Sequence, residues 1–95
     1  MAKQTFERSY PGKQPQEIFE ATRKTIEDIA SRYSLKHDVD AARLSGKVAR
    51  TGVSGSYQAA GEKISLELDF GMLVPGAIRK RVADEVQAKL EKLFG

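Results

Sequence analysis

The side chains able to do chemistry in this chain are few and scattered. Its single histidine, His37, adjoins Asp38 and lies close to Asp40, residue types that ligate metals or share protons. Either chemistry needs at least two of them to converge on one point. The segment reads as a strand, on which His37 and Asp38 point to opposite faces, so a turn-initiating Asp40 beside an incidental histidine fits the spacing better. Gly52-Val53-Ser54-Gly55 resembles a nucleophile elbow in composition. It lacks that motif's spacing and joins two strands instead of a strand and a helix. Glu67 and Asp69 fall on the polar side of a strand, whereas a general acid or base works from a pocket. Neither G-x-x-x-x-G-K-[ST] nor G-x-G-x-x-G occurs, so no glycine loop is available to cradle phosphate. No catalytic residue, metal ligand or cofactor is assigned, and a non-enzymatic role is expected.

One apolar segment is more informative. Ile64-Ser-Leu-Glu-Leu-Asp-Phe alternates with period two, Gly-Met-Leu-Val-Pro-Gly follows, and Ala-Ile-Arg-Lys-Arg opens a basic helix. Junctions between elements are usually polar, so Met72, Leu73 and Val74 need an apolar surface inside or outside the fold. Inside, they would plug one end of the core. Outside, they would enter an apolar phase while Arg79, Lys80 and Arg81 contact anionic groups beside it, the arrangement of an interfacial anchor.

The elements that position these residues follow from periodicity. Thr5 to Tyr10 reads as a strand ended by Pro11-Gly12. Pro15 suits the first position of a helix whose apolar stripe is Ile18, Phe19, Thr22, Ile26, Ile29, Ala30 and Tyr33. Leu35 to Val39 and Arg43 to Arg50 read as strands either side of an Asp40-Ala41-Ala42 turn, and two more follow after Thr51-Gly52 and Ala60-Gly61. Leu44, Gly46 and Val48, then Val53, Gly55, Tyr57 and Ala59, then Ile64, Leu66, Leu68 and Phe70 make one buried face of an antiparallel sheet. A turn centred on Thr51-Gly52 sets Gly46 opposite Tyr57 and Val48 opposite Gly55. The two glycines then leave a trough by Tyr57. Close packing, with Tyr57 covering Gly46, is one reading of it, and a ligand groove is the other. A last helix from Pro75 carries Ile78, Val82, Val86, Leu90, Leu93 and Phe94 as its stripe. The expected fold is a single α+β domain over residues 1–95, in the order β-α-β-β-β-β-α, with a mainly antiparallel sheet and two amphipathic helices packed on one face.

Composition sets the outer limits. Forty per cent apolar and 31% charged residues in 95 are enough for one modest core. The absence of cysteine excludes disulfides and thiolate zinc sites. No apolar run reaches the ~20 residues of a membrane span, and the opening Met-Ala-Lys-Gln-Thr-Phe lacks a signal-peptide core. A cytoplasmic location is therefore the default expectation. Net charge is only +3, with the surplus on Arg43, Lys47, Arg50 and the triplet at Arg79. Exposed aromatics for base stacking are lacking, which disfavours nucleic acid as a partner.

At these residues the chain resembles the polyhydroxyalkanoic acid system proteins, also called the polyhydroxyalkanoate granule region family. Arg50-Thr51-Gly52-Val53-Ser54-Gly55 is similar to the family's R-x-G-V-x-G. Leu68-Asp69-Phe70-Gly71-Met72-Leu73-Val74-Pro75 is similar to its L-x-L-G-F-L-L block, and Glu7-Arg8-Ser9 and the spaced apolar residues of the last helix also fit. Members often carry histidine where this chain has Tyr10, and Phe70 and Met72 replace leucine and phenylalanine. The resemblance implies association with bacterial storage polyester and supplies no catalytic residue.

The leading expectation is a binding module for a polyester granule surface or a granule-associated protein. Met72, Leu73 and Val74 would provide apolar contact, and Arg79, Lys80 and Arg81 anionic contact. The alternatives are a carrier of a small apolar ligand held near Gly46, Gly55 and Tyr57, and a weak nucleic-acid module using Arg43, Lys47 and Arg50. A homodimer through the apolar junction competes with all three.

Overall fold

Three strands in residues 45–70 are joined by tight glycine turns, and they fix the rest of the architecture. The computed structural model describes residues 2–71 and 74–94, with the backbone alone of Ala2. Its elements are β1 (Ala2–Ser9), α1 (Pro15–Tyr33), β2 (Lys36–Asp40), a 3-10 turn (Ala41–Arg43), β3 (Ser45–Arg50), β4 (Val53–Ala60), β5 (Lys63–Phe70) and α2 (Gly76–Glu91). The sheet order is β1-β5-β4-β3-β2 with every neighbouring pair antiparallel. Gly52 and Gly61 take φ of 86° and 61° in the two hairpin turns, a region where a Cβ is strained. The first hairpin sets Gly46 against Tyr57 and Val48 against Gly55, the register its turn predicts.

Alternation then separates two faces. Val48, Tyr57, Ala59, Ile64, Leu66, Leu68 and Phe70 are buried on the side covered by both helices. Lys47, Ser54, Ser56, Gln58 and Glu67 lie exposed on the other. The α1 stripe meets that apolar face with Ile18, Phe19, Ile26, Ile29 and Ala30, each fully buried large side chain contributing ~1.5–3 kcal/mol before entropy is counted. At its start, the Glu17 carboxylate accepts from the Gln14 backbone N–H at 3.2 Å. At its end, Ser34 turns left-handed with φ 58° and its N–H donates to the Ala30 carbonyl. Those two ends close the helix.

Several boundaries move. The first strand begins at Ala2 and ends at Ser9, and Tyr10 follows it with its N–H on the Glu62 carbonyl at 2.7 Å. Leu35 precedes β2 instead of opening it. Asp40 does start a turn, its carboxylate accepting from the Arg43 N–H at 3.3 Å. Leu44 leaves that turn with φ 53°, so β3 starts only at Ser45. Pro75 stands at the N-cap of α2 and not inside it. The larger correction concerns the α2 stripe. Only Val86 and Leu90 are fully buried, while Ile78 is 46% and Phe94 37% exposed. Periodicity shows which residues share a face; it does not show how much of that face another element covers.

Helix α2 is anchored at its far half by polar contacts. The Tyr10 hydroxyl donates to the Leu90 carbonyl at 2.7 Å, and the Phe94 ring stands edge-on to Tyr10 at 5.1 Å. Arg32 donates to Glu85 at 2.6 Å and the Tyr33 hydroxyl donates to the same carboxylate at 3.1 Å, linking α1 to α2.

Tyr57 and His37 form the polar edge of the core. His37 turns toward the helix side and its Nε2 lies 2.8 Å from the Tyr57 hydroxyl; Asp38 turns the other way, toward Lys47 on β3. Burial pushes the Tyr57 phenol up to about 12. It also lowers the His37 imidazole below its ordinary 6.5, and the neighbouring Glu27 carboxylate only partly offsets that effect. Arg23, which bridges Glu20 and Glu27 above this pair, adds to the lowering. A Cβ on Gly46 would overlap the ring and hydroxyl of Tyr57.

Two outcomes follow. Gly46→Ala should displace Tyr57 and cost about 1–3 kcal/mol by urea denaturation, and an unchanged midpoint would mean the ring does not occupy that space. The folded chain holds His37 neutral more strongly than the unfolded chain does, so the unfolded state takes up more protons below 6.5. Stability should be full above that pH and fall as pH drops from about 7 to about 5. In His37→Gln that part of the slope should vanish, and equal slopes in the two proteins would contradict the pairing.

Candidate functional site: an apolar groove at the strand-to-helix junction

The junction after β5 is positioned by two glycines. Gly71 donates its N–H to the Gly52 carbonyl at 2.6 Å. A Cβ on Gly71 would lie only 3.1 Å from that oxygen, so the turn between β3 and β4 and the exit from β5 touch backbone to backbone. The chain then returns at Val74, whose N–H donates to the Gly71 carbonyl at 3.2 Å and whose side chain is half-buried against the core. Met72 and Leu73, which the sequence places at the heart of this junction, lie outside the described residues.

An open groove of about 350 Å³ runs beside Val74. Phe70, Val53 and Leu35 come from the core side, Tyr33 from the last turn of α1, and Pro75, Ile78 and Val82 from the start of α2. Arg50 closes one rim, its guanidinium donating to the Tyr33 carbonyl at 2.8 Å. That bond uses the C-terminal carbonyl end of α1, where a cation is favoured. Burial and the Glu85 hydrogen bond raise the Tyr33 phenol above its usual value, so this hydroxyl stays a neutral donor to Glu85. Among the described residues, the lining offers shape and apolar contact, and it brings no nucleophile together with a base.

The basic triplet divides around the groove. At roughly 100° per residue, Arg79 and Arg81 fall on either side of the Ile78 and Val82 stripe, and Lys80 falls nearly opposite it. Arg79 folds back toward Gly76, and Arg81 is close enough to favour ionised Tyr33. The other sequence-selected residues do not join this site. Gly46, Gly55 and Tyr57 lie together at the sheet's centre, where the Tyr57 ring fills the space above Gly46 and the ring of Phe19 stacks on it at 6.3 Å. A Cβ on Gly55 would come within 2.9 Å of Leu68. Arg43 pairs with Asp40 at one end of β3, Lys47 lies on the outer face, and Arg50 serves the groove, so the three cations are spread over different surfaces. Ser54 and Glu67 also face outward, and Glu67 pairs with Lys3 at 3.2 Å.

Tyr33, Leu35, Arg50, Ile78 and Val82 are neighbours of the junction that sequence spacing does not reveal. The helical period puts Tyr33 and Ile78 on core stripes, and Arg50 falls on a basic strand. One signal was available: Gly52 and Gly71 flank apolar segments, and close backbone approach is a use of glycine.

The fold and groove define a small two-layer α+β protein with an antiparallel sheet, two helices on one face and an apolar opening at one end. The family described as "Putative polyhydroxyalkanoic acid system protein" matches residues 11–94, and the chain belongs to it. The groove lies within that span, whereas β1 precedes it. No curated protein matches the chain. No helix among the described residues is long and apolar enough to cross a membrane.

The exposed part of α2 should be separable from its core part. Ile78→Ser should cost less than about 1 kcal/mol, whereas Leu90→Ala should cost about 2–5 kcal/mol. Thermal or urea unfolding of the two variants reads the difference; similar losses would place Ile78 in the core.

Proposed function

We propose that this chain is a non-enzymatic module that binds the surface of polyhydroxyalkanoate storage granules through the groove beside Val74. The observation carrying the reading is an open apolar groove that includes half-exposed Ile78, at the very junction where Met72 and Leu73 occur in sequence. Family membership ties the chain to the polyhydroxyalkanoate system and so selects a polyester among apolar partners. Met72, Leu73 and Val74 supply the apolar contact in this reading. Arg79 and Arg81 flank it and attract anionic groups at a granule surface, while Lys80 contributes less because of its place on the helix. Exposed apolar area assisted by adjacent cations binds an interface reversibly. A cytoplasmic setting belongs to the same proposal.

Co-sedimentation with protein-free polyester particles tests direct binding. Wild type should pellet with the particles, folded Leu73→Asp and Ile78→Asp should stay largely in solution, and Lys80→Glu should behave nearly as wild type. Wild type remaining in solution would reject direct polymer binding, and equal pelleting of the aspartate variants would remove the groove's role. Pelleting only with native granules that carry their own proteins would assign the contact to a granule-associated protein.

A further inference from the structure

The two edges of the sheet differ in a way that bears on self-association. Strand β1 forms one edge over eight residues, and β2 forms the other over five. Among the described residues no backbone group pairs with the outer side of β1. A shallow groove of about 210 Å³ also runs along it, between Thr5, Phe6, Glu7 and Arg8 on the strand and Gln87 and Leu90 on α2. Such an edge is a template for an added strand.

The charge pattern of β1 selects the strand that would add. Lys3, Thr5 and Glu7 are exposed and share the outer face, opposite Asp69, Glu67 and Ser65 of β5. When two copies meet about a twofold axis perpendicular to the sheet, outer faces stay outer, and residues directly opposite share a face. The axis must therefore pass through a residue of β1. Centred on Thr5, it sets Lys3 of each copy against Glu7 of the other and Gln4 against Phe6. Centred on Gln4, it leaves Lys3 against Thr5. Centred on Phe6, it sets Lys3 against Ser9 and Gln4 against Arg8. Only the Thr5 register places opposite charges face to face, and it does so twice. Charges on an edge normally discourage pairing, but these two are self-complementary. On β2, pairing about Asp38 sets Lys36 against Asp40 but opposes Asp38 to Asp38 at the axis, and pairing about His37 sets Lys36 against Asp38 over a shorter overlap; β1, with eight residues against five, offers the longer self-complementary register.

We propose that β1 is a dimerisation edge. Two copies join antiparallel about Thr5 into a continuous ten-stranded sheet, with two Lys3–Glu7 cross-strand ion pairs. The Lys3–Glu67 and Glu7–Ser65 contacts within each chain, at 3.2 and 3.4 Å, are exposed and exchange readily for the new partners. The inference does not rest on the granule reading.

The absence of cysteine gives a clean test. Opposed residues in an antiparallel pair have Cα atoms ~4.5–5.5 Å apart, within disulfide range. Thr5→Cys should therefore form a disulfide-linked dimer under mild oxidation, and Asp38→Cys should not. In sedimentation equilibrium, wild type should dimerise. Glu7→Lys should weaken the dimer at least about tenfold, and Lys3→Glu combined with Glu7→Lys should restore it, with circular dichroism confirming that each variant is folded. Four results would each overturn the proposal: monomeric wild type up to millimolar concentration, linkage at position 38 instead of 5, failure of the folded double variant to recover, or a dimer dissolved by Ile78→Asp.

Discussion

The structure depends on the one-sidedness of its sheet. Alternation along β3, β4 and β5 produces a single apolar face, and two helices must cover it. Helix α1 does most of that work, lying across β4 and β5 and reaching β2 and β3. Helix α2 covers the β1 side and is held there by Tyr10, Val86 and Leu90. Its first turn is not drawn into the core, so Ile78 remains open and the groove beside Val74 persists, while Val82 one turn on already packs against the core. The candidate site is a consequence of incomplete cover and not of a separate design.

Local stitching makes that opening a defined shape. The Gly71 N–H on the Gly52 carbonyl fixes the exit of β5 against the β3–β4 turn. Arg50 on the Tyr33 carbonyl ties the end of α1 to the same corner. The first contact is backbone to backbone and the second side chain to backbone, and together they join the groove's walls at one corner. Arg81 beside it is exposed and Arg79 partly so, and exposed charges contribute little to stability.

Much of the fold was legible because it is local. The α1 stripe from Ile18 to Tyr33 needed only the helical period, and the pairing of Gly46 with Tyr57 needed only the two-residue turn at Thr51-Gly52. The partner of β1 was not legible, because its pairing with β5 spans some sixty residues and no turn encodes it. The filling of the trough by Tyr57 was one of two readings, and ring position is a packing outcome that spacing alone leaves open. Ile78 and Phe94 look like core in the sequence for a related reason: their stripe is continuous with Val86 and Leu90, but the extent of tertiary cover is not written into a helix's own sequence. The groove was half visible. The apolar junction stood out in one dimension, and its neighbours Tyr33, Leu35 and Arg50 came to it only through folding.

The central claim is that the corner beside Val74 and Ile78 is the surface that meets an apolar partner, while the outer face of the sheet stays in water. Single cysteines at Ile78 and at Ser54, each carrying an environment-sensitive fluorophore, report on both surfaces when polyester particles are added. Position 78 should show a blue shift and gain of intensity, with little change at position 54. A shift at 54 with none at 78 would contradict it.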